Sequence, residues 1–443
     1  MSGTRSPDCG TQTPDAATVA ESSCADNPPM RPFLILWTGQ ALSLVGSQAV
    51  QFAIIWWLTI QTGSATVLAT ASLFGLLPPI LVGPFAGALV DRWNRKQVML
   101  AADALVAATS LGLAALFLLD MASVETVFAA LLLRAIGSTF HAPAMLASTT
   151  LMVPERHLTR IQGINQMMLG GMLVIAAPLG GLLVATLSMS GIMLVDVGTA
   201  LIAILPLVFI RVPQPERSSE ERSSTGVRGT LRDVGEGFTY LRERPGHMGI
   251  VLIAMGVNML LIPAFSLLPL LVSEELTGTA TDLAWTNSMF GIGSFAGGIL
   301  LGIWGGFRRR ILTTLSGLMA MGIATLGVGM APSVLAVAGA MFAIGVITAM
   351  VNGPIHAILQ ATVAADFQGR IFSLVGSLAG ITAPVGLLLA APVAELVGVR
   401  AWYIAGAAGC ILMGLSGFLT PAILRIEGEA EVTVEGPQPT TAD

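Results

Sequence analysis

Apolar residues run along this chain in blocks of about twenty or more, separated by short polar breaks. A helix needs about 20 mostly apolar residues to cross the hydrocarbon core of a bilayer, and twelve blocks reach that length. They are residues 33–60, 65–90, 97–119, 124–150, 161–187, 191–210, 248–272, 282–304, 311–330, 334–360, 371–396 and 401–423. Several are longer than a bilayer requires, which predicts tilt or extension beyond it. The pattern predicts an all-α integral membrane protein with twelve transmembrane helices.

One substantial polar stretch, residues 211–247, divides these blocks six and six. It mixes seven arginines with six acids, a Ser-rich run and a possible amphipathic piece from Leu231 to Leu241. It reads as a plain linker or as a segment docked under the helices. The two sides of it echo each other. Ala135-Ile-Gly137 recurs as Ala343-Ile-Gly345, followed in turn by Pro143 and Pro354, then by Arg160 and Arg370. Ala177-Pro178-Leu-Gly180 matches Ala383-Pro384-Val-Gly386, and all four offsets fall between 206 and 211 residues. Parallel repeats related by an axis along the membrane normal are a transporter architecture, so two pseudo-symmetric six-helix bundles are expected. The expected layout is a disordered tail at 1–30, a bundle at 31–210, a cytoplasmic linker at 211–247, a second bundle at 248–425 and a disordered acidic tail at 426–443.

Composition strengthens the membrane reading. Of 443 residues, 54% are hydrophobic and 11% charged, and the mean hydropathy is +0.80. A soluble domain carries about 25% charged residues. Nineteen of the 21 cations fall in the tails or in alternate loops; the exceptions are Arg400 and Arg134, the latter inside a helix. Cytoplasmic loops retain Lys and Arg. Both termini are therefore expected in the cytoplasm, on a multi-pass protein of the cell membrane. The first thirty residues lack the apolar core of a signal peptide. Cys9, Cys24 and Cys410 form no metal-binding or redox spacing.

The segment GALVDRWNRK at residues 87–96 must reverse the chain tightly between the second and third helices. It holds Gly87, Asp91, Arg92, Arg95 and Lys96, whose charges suit a helix terminus or anionic headgroups. This segment resembles the GxLaDrxGrk signature of the major facilitator superfamily. Asn94 stands where the family has Gly, and Asn is the next residue able to take a left-handed turn. The second-half counterpart, residues 298–310, keeps glycines and cations but has no acid. In the fifth block Ala177-Pro178-Leu-Gly180-Gly181 resembles the GPxxGG end of the antiporter motif. Pro178 frees a backbone carbonyl, while Gly180 and Gly181 permit close helix contact. Longer matches extend over about residues 31–425: GQALSL from Gly39, QFAIIWWLT from Gln51, LRAIGSTFHAPA from Leu133 and GRIFSLVGS from Gly369. Together they resemble the macrolide-efflux branch of the superfamily. That resemblance implies a proton-driven antiporter exporting amphipathic compounds, with multidrug resistance as the outcome. Relatives include a siderophore exporter, so export of one metabolite, lysolipid movement or a non-transporting receptor stay open.

An ionisable residue inside a membrane helix is a candidate functional site. Asp196, Arg134 and Asp103 are three such residues. Burial raises the pKa of a carboxyl group, so Asp196 is the leading candidate proton site, with Arg134 modulating an acid's affinity for its proton. The alternative is a structural Asp103–Arg134 brace between the third and fourth helices. Gln40, Ser47 and Gln51 share one face of the first helix. With Asn165, Gln166, Asn258, Asn287 and Asn352 they are candidates to line a substrate cavity or to bond between helices. His141 and His356 read as packing or capping residues. No phosphate loop, paired-carboxylate or nucleophile motif occurs, so neither an enzyme nor an ATP motor is expected. The expected partners are a small-molecule substrate, protons and membrane lipid, with no nucleic acid, cofactor or metal, and the protein is expected to be monomeric.

Overall fold

Short polar breaks end one helix and cap the next. A computed structural model describes residues 30–90, 93–214, 227–363 and 365–427, with no strand among them. Five consecutive breaks on one face each offer a hydroxyl to a helix start: Ser64, Ser123, Ser188, Thr279 and Ser333. Each accepts from a backbone N–H of the first turn, a position that lacks an intrahelical partner. Ser123 with Thr126, and Thr279 with Asp282, close reciprocal boxes.

The helices in order are α1 (Met30–Thr62), α2 (Ala65–Leu81), α3 (Gly83–Val90), α4 (Arg95–Leu118), α5 (Val124–Met152), α6 (Glu155–Thr186) and α7 (Met189–Phe209). After them come α8 (Val227–Arg242), α9 (Pro245–Leu270), α10 (Ala280–Trp304), α11 (Arg310–Gly329), α12 (Val334–Thr362), α13 (Ala365–Val397), α14 (Val399–Leu419) and the short α15 (Pro421–Leu424). Eleven of the described helices are long and apolar enough to cross a membrane. The twelfth span is α2 followed by α3. The sequence reads as one run there, but Pro78, Pro79 and Pro84 withhold N–H groups and the helix breaks at Val82. Phe209, Ile303, Leu335 and Leu396 are at least 80% exposed. Apolar exposure on that scale belongs on a lipid-facing surface.

The two sixes repeat each other contact for contact. In the first half α1 packs on α6 and α7, α4 on α5 and α7, and α2 on α5; in the second, α9 packs on α13 and α14, α11 on α12 and α14, and α10 on α12. The matched glycines sit in matched seats. A Cβ on Gly180 would meet the Ala49 carbonyl of α1, and one on Gly386 the Met259 carbonyl of α9. The halves join along α2–α13 and α6–α10.

The cations at the starts of α4 and α11 mark one face of the bundle. Near it the cores are separate: Phe33, Met99 and Leu207 belong to a cluster confined to the first half, while Leu241, Ile311 and Ile371 belong to clusters confined to the second. On the opposite face one cluster runs through both halves, from Leu58 and Leu68 to Leu267 and Trp402. There Glu395 of α13 accepts from the Ser64 hydroxyl (2.9 Å) and the Thr66 N–H (3.1 Å), capping α2 from across the junction. The Ser72 hydroxyl reaches that of Ser266 at 2.9 Å in the same region.

Boundaries shift from the expected layout in two places. The stretch 211–247 contains α8, whose Leu241 is fully buried against Leu359, Val363 and Ile371. Ile426 is also fully buried, and Glu427 accepts from the Ile311 N–H at 3.2 Å, capping α11. Packing against the second six helices thus continues to residue 427; residues 1–29 and 428–443 lie outside the described residues.

Candidate functional site

Gly39 and Gly46 let α1 approach α7 closely: a Cβ at Gly46 would strike the Thr199 hydroxyl at 2.5 Å, and one at Gly39 the Ile202 carbonyl at 3.0 Å. That approach carries Ser47 to Asp196. Asp196 is fully buried. It accepts from Ser47 Oγ at 2.8 Å, from Ser110 Oγ of α4 at 2.6 Å and from Arg134 Nη1 of α5. Arg134 also donates to Ser110 Oγ at 2.6 Å and to the Ser47 carbonyl at 3.3 Å. Four helices therefore close one ion pair, with the carboxylate satisfied by three donors. Buried pairs persist when their geometry satisfies both ions.

The expected alternative, an Asp103–Arg134 brace, does not form. Asp103 lies seven residues from Ser110 on α4, two helical turns or about 10 Å nearer the cationic face. It accepts from Gln40 Nε2 at 2.8 Å, and His141 Nε2 stands 3.4 Å from its other oxygen. His141, read from sequence as a packing residue, is the partner that reading missed. A signal for it exists. Gln40 and Ser47, Asp103 and Ser110, and His141 and Arg134 are each seven apart, so three helices step from one polar layer to the next in register.

The lower layer opens on a cavity of about 410 Å³, lined by Gln40, Ser47, Asp103, His141, Asn165 and Gln166 together with Trp37 and several apolar side chains. The Trp37 indole donates to Asn165 Oδ1 at 2.7 Å, tying α1 to α6. Neither Asp196 nor Arg134 lines it. A second cavity of about 560 Å³ lies between the halves, with Gln51, Phe52, Ser72, Ser266, Asn287 and Phe290 on its wall. Asn287 donates to the Leu283 carbonyl of its own helix. Asn258, which likewise bonds within its helix to Ala254, and the exposed Asn352 line neither cavity.

Within the 87–96 segment, Asn94, Arg95 and Lys96 bond to helix ends. Asp91 and Arg92 lie outside the described residues, and Gly87 is on α3. Asn94 does not take the left-handed turn expected of it. Its φ is −72° and its side chain caps α4 by accepting from the Gln97 N–H, a role a Gly lacks the oxygen to fill. Arg95 is buried and donates to the Ala147 carbonyl at 2.8 Å. Lys96 Nζ holds the Val208 and Ile210 carbonyls at 2.8 and 3.0 Å, neutralising the negative end of α7. On α6, past Pro178, Gly180 faces α1 and Gly181 faces the other half: a Cβ at Gly181 would lie 2.8 Å from that of Ala284. Among the described residues no group of three His, Cys, Asp or Glu is placed to hold a metal.

The model for the Major Facilitator Superfamily matches residues 36–271. Macrolide efflux protein A of Streptococcus pyogenes is 33% identical over 376 residues, 84% of this chain and 91% of the relative. Multidrug efflux pump Tap of Mycolicibacterium fortuitum is 23% identical, over 89% of this chain and 97% of that one. Among solved structures, a peptide transporter POT superposes with a TM-score of 0.69 at 13% identity, covering 92% of this chain and 99% of the other.

Proposed function

This chain belongs to the major facilitator superfamily and is an efflux transporter, and from that premise we propose that it exports amphipathic small molecules of the macrolide and multidrug type in exchange for protons. The observation carrying the coupling is the sealed Arg134–Asp196 pair, an ionisable site inside the membrane with no opening to the substrate cavity. The observation carrying the movement is the core, continuous between the halves at one face and divided at the other.

In the proposed cycle the bundles at 31–210 and 248–425 rock about the central cavities, with the 211–247 segment and both termini in the cytoplasm. Cargo enters the cavity from the cationic, cytoplasmic face. Opening of the opposite face separates α2 from α13 and lets outside water reach Asp196. The carboxylate takes a proton there, loses its charge and releases Arg134. On return to the inward state Arg134 re-forms the pair, and the proton leaves to the cytoplasm. Ser47 joins the two events, since its hydroxyl bonds Asp196 while its side chain lines the cavity. Gly87, Asp91, Arg92, Arg95 and Lys96 are the proposed cytoplasmic gate, with Pro178, Gly180 and Gly181 as the flexing point of α6.

Inverted membrane vesicles loaded by an imposed pH gradient test this reading, with radiolabelled erythromycin as the cargo. The wild type accumulates erythromycin, and collapse of the gradient abolishes accumulation. Asp196→Asn loses gradient-driven uptake but retains counterflow. Full gradient-driven uptake by Asp196→Asn would remove the proton role from this residue. Uptake confined to one metabolite in a broad compound panel would replace the multidrug reading with a dedicated exporter.

A further inference from the structure

Two buried carboxylates lie one layer apart, and they differ in how fully their oxygens are hydrogen-bonded. Asp196 has three side-chain donors and no cavity surface. Asp103 is nine-tenths buried, yet it lines the 410 Å³ cavity and has one well-aligned donor, Gln40. A carboxylate offers about four acceptor positions. His141 stands 3.4 Å away without hydrogen-bond alignment, and its buried Nε2 has no other partner. Acceptor capacity and an unfilled imidazole nitrogen thus meet at the wall of one cavity.

We infer that Asp103, with His141 beside it, forms a subsite that takes the protonated aliphatic amine of an amphipathic cargo. This rests on the exporter reading and names the cargo's charge. The walls suit such a molecule: Trp37, Leu44, Met145 and Leu169 receive an apolar body, and the Trp37 indole offers a π face to a cation. An ammonium within the cavity has one anion to reach. Among the described residues, α1 and α6 contribute only uncharged polar groups here, α5 contributes His141, and the charges of Arg134 and Asp196 are spent on each other one layer deeper.

Gln40 fills one carboxylate oxygen of Asp103 at 2.8 Å, and His141 stands 3.4 Å from the other. An ammonium entering from the cavity meets that second oxygen beside the imidazole ring.

Equilibrium binding to the purified full chain in lipid nanodiscs tests this, using erythromycin, which carries a dimethylamino sugar, and erythromycin N-oxide, in which that nitrogen is uncharged overall and holds no proton. Asp103→Asn should weaken erythromycin binding about tenfold and leave N-oxide binding unchanged, which also shows that the variant is folded. Equal loss of both compounds in Asp103→Asn would make the residue a structural brace and overturn the inference, as would an unchanged preference for the amine. Binding of neither compound by the wild type, with no vesicle uptake, would sink the exporter reading and this one with it.

Discussion

Asp196 and Arg134 illustrate how context decides what one substitution costs. Removing one partner of a buried ion pair leaves the other uncompensated, at about 3–5 kcal/mol. Asp196→Asn should therefore lower the melting temperature of the purified protein markedly, because Arg134 has no second anion. Replacing both, as Arg134→Met with Asp196→Leu, should recover most of that stability without recovering gradient-driven transport. If the double variant transports normally, the pair is a brace alone. Ser110→Ala removes one donor from Asp196 and one acceptor from Arg134 and should cost about 1–3 kcal/mol. The sequence marked Asp196, Arg134 and Asp103 as exceptional because charge is rare inside apolar helices. It left the pairing ambiguous, since two acids and one base on neighbouring helices allow two matches. The choice depends on the level at which α7 stands beside α5, which no local pattern encodes.

At the scale of helices, glycine positions decide which crossings are tight. Gly386→Ala would push a methyl group onto the Met259 carbonyl, and Gly180→Ala one to 2.8 Å from the Ala49 carbonyl. Backbone atoms yield little, so each should destabilise by about 1–3 kcal/mol. Gly170→Ala on the same helix α6 meets nothing within 4 Å and should be neutral. Thermal unfolding in detergent ranks the three, and equal losses would show that the crossings are not tight. The helix spans were legible almost throughout, because burial in lipid demands unbroken apolar length. The break at Val82 was harder to read, although Pro78, Pro79 and Pro84 announce it. The α8 helix was legible in part, as an amphipathic piece from Leu231 to Leu241 whose Arg and Glu content also fits a plain linker, and the burial of Leu241 gives it an inward face.

Across the whole molecule, the junction on the anionic-capped face joins residues far apart in the chain. Glu395 and Ser64 are 331 residues apart, and Ser72 and Ser266 are 194 apart. No periodicity reports such pairs, so the sequence could predict two bundles but not where they touch. The Ser72–Ser266 contact offers a test of movement. Ser72→Cys with Ser266→Cys places two thiols where two hydroxyls meet, and oxidation should join the halves. Efflux should stop on oxidation and return with a reductant, whereas either single variant should stay active. Undiminished efflux in the fully cross-linked protein would mean that this junction never opens.

The matched seats of Gly180 and Gly386 have a genealogical consequence. A chain built as two descendants of one ancestral half carries an internal control, since each crossing has a sister in the same molecule. The descendants have diverged in one respect. The position 208 residues after Arg134 is Phe342, and residues 402–407, the counterparts of Asp196, include no acid. The ion pair sealed inside the first half has no counterpart at the matching positions of the second. Because α2–α13 and α6–α10 are mirror roles in one junction, a variant on one side of it has a matched comparison on the other within the same chain.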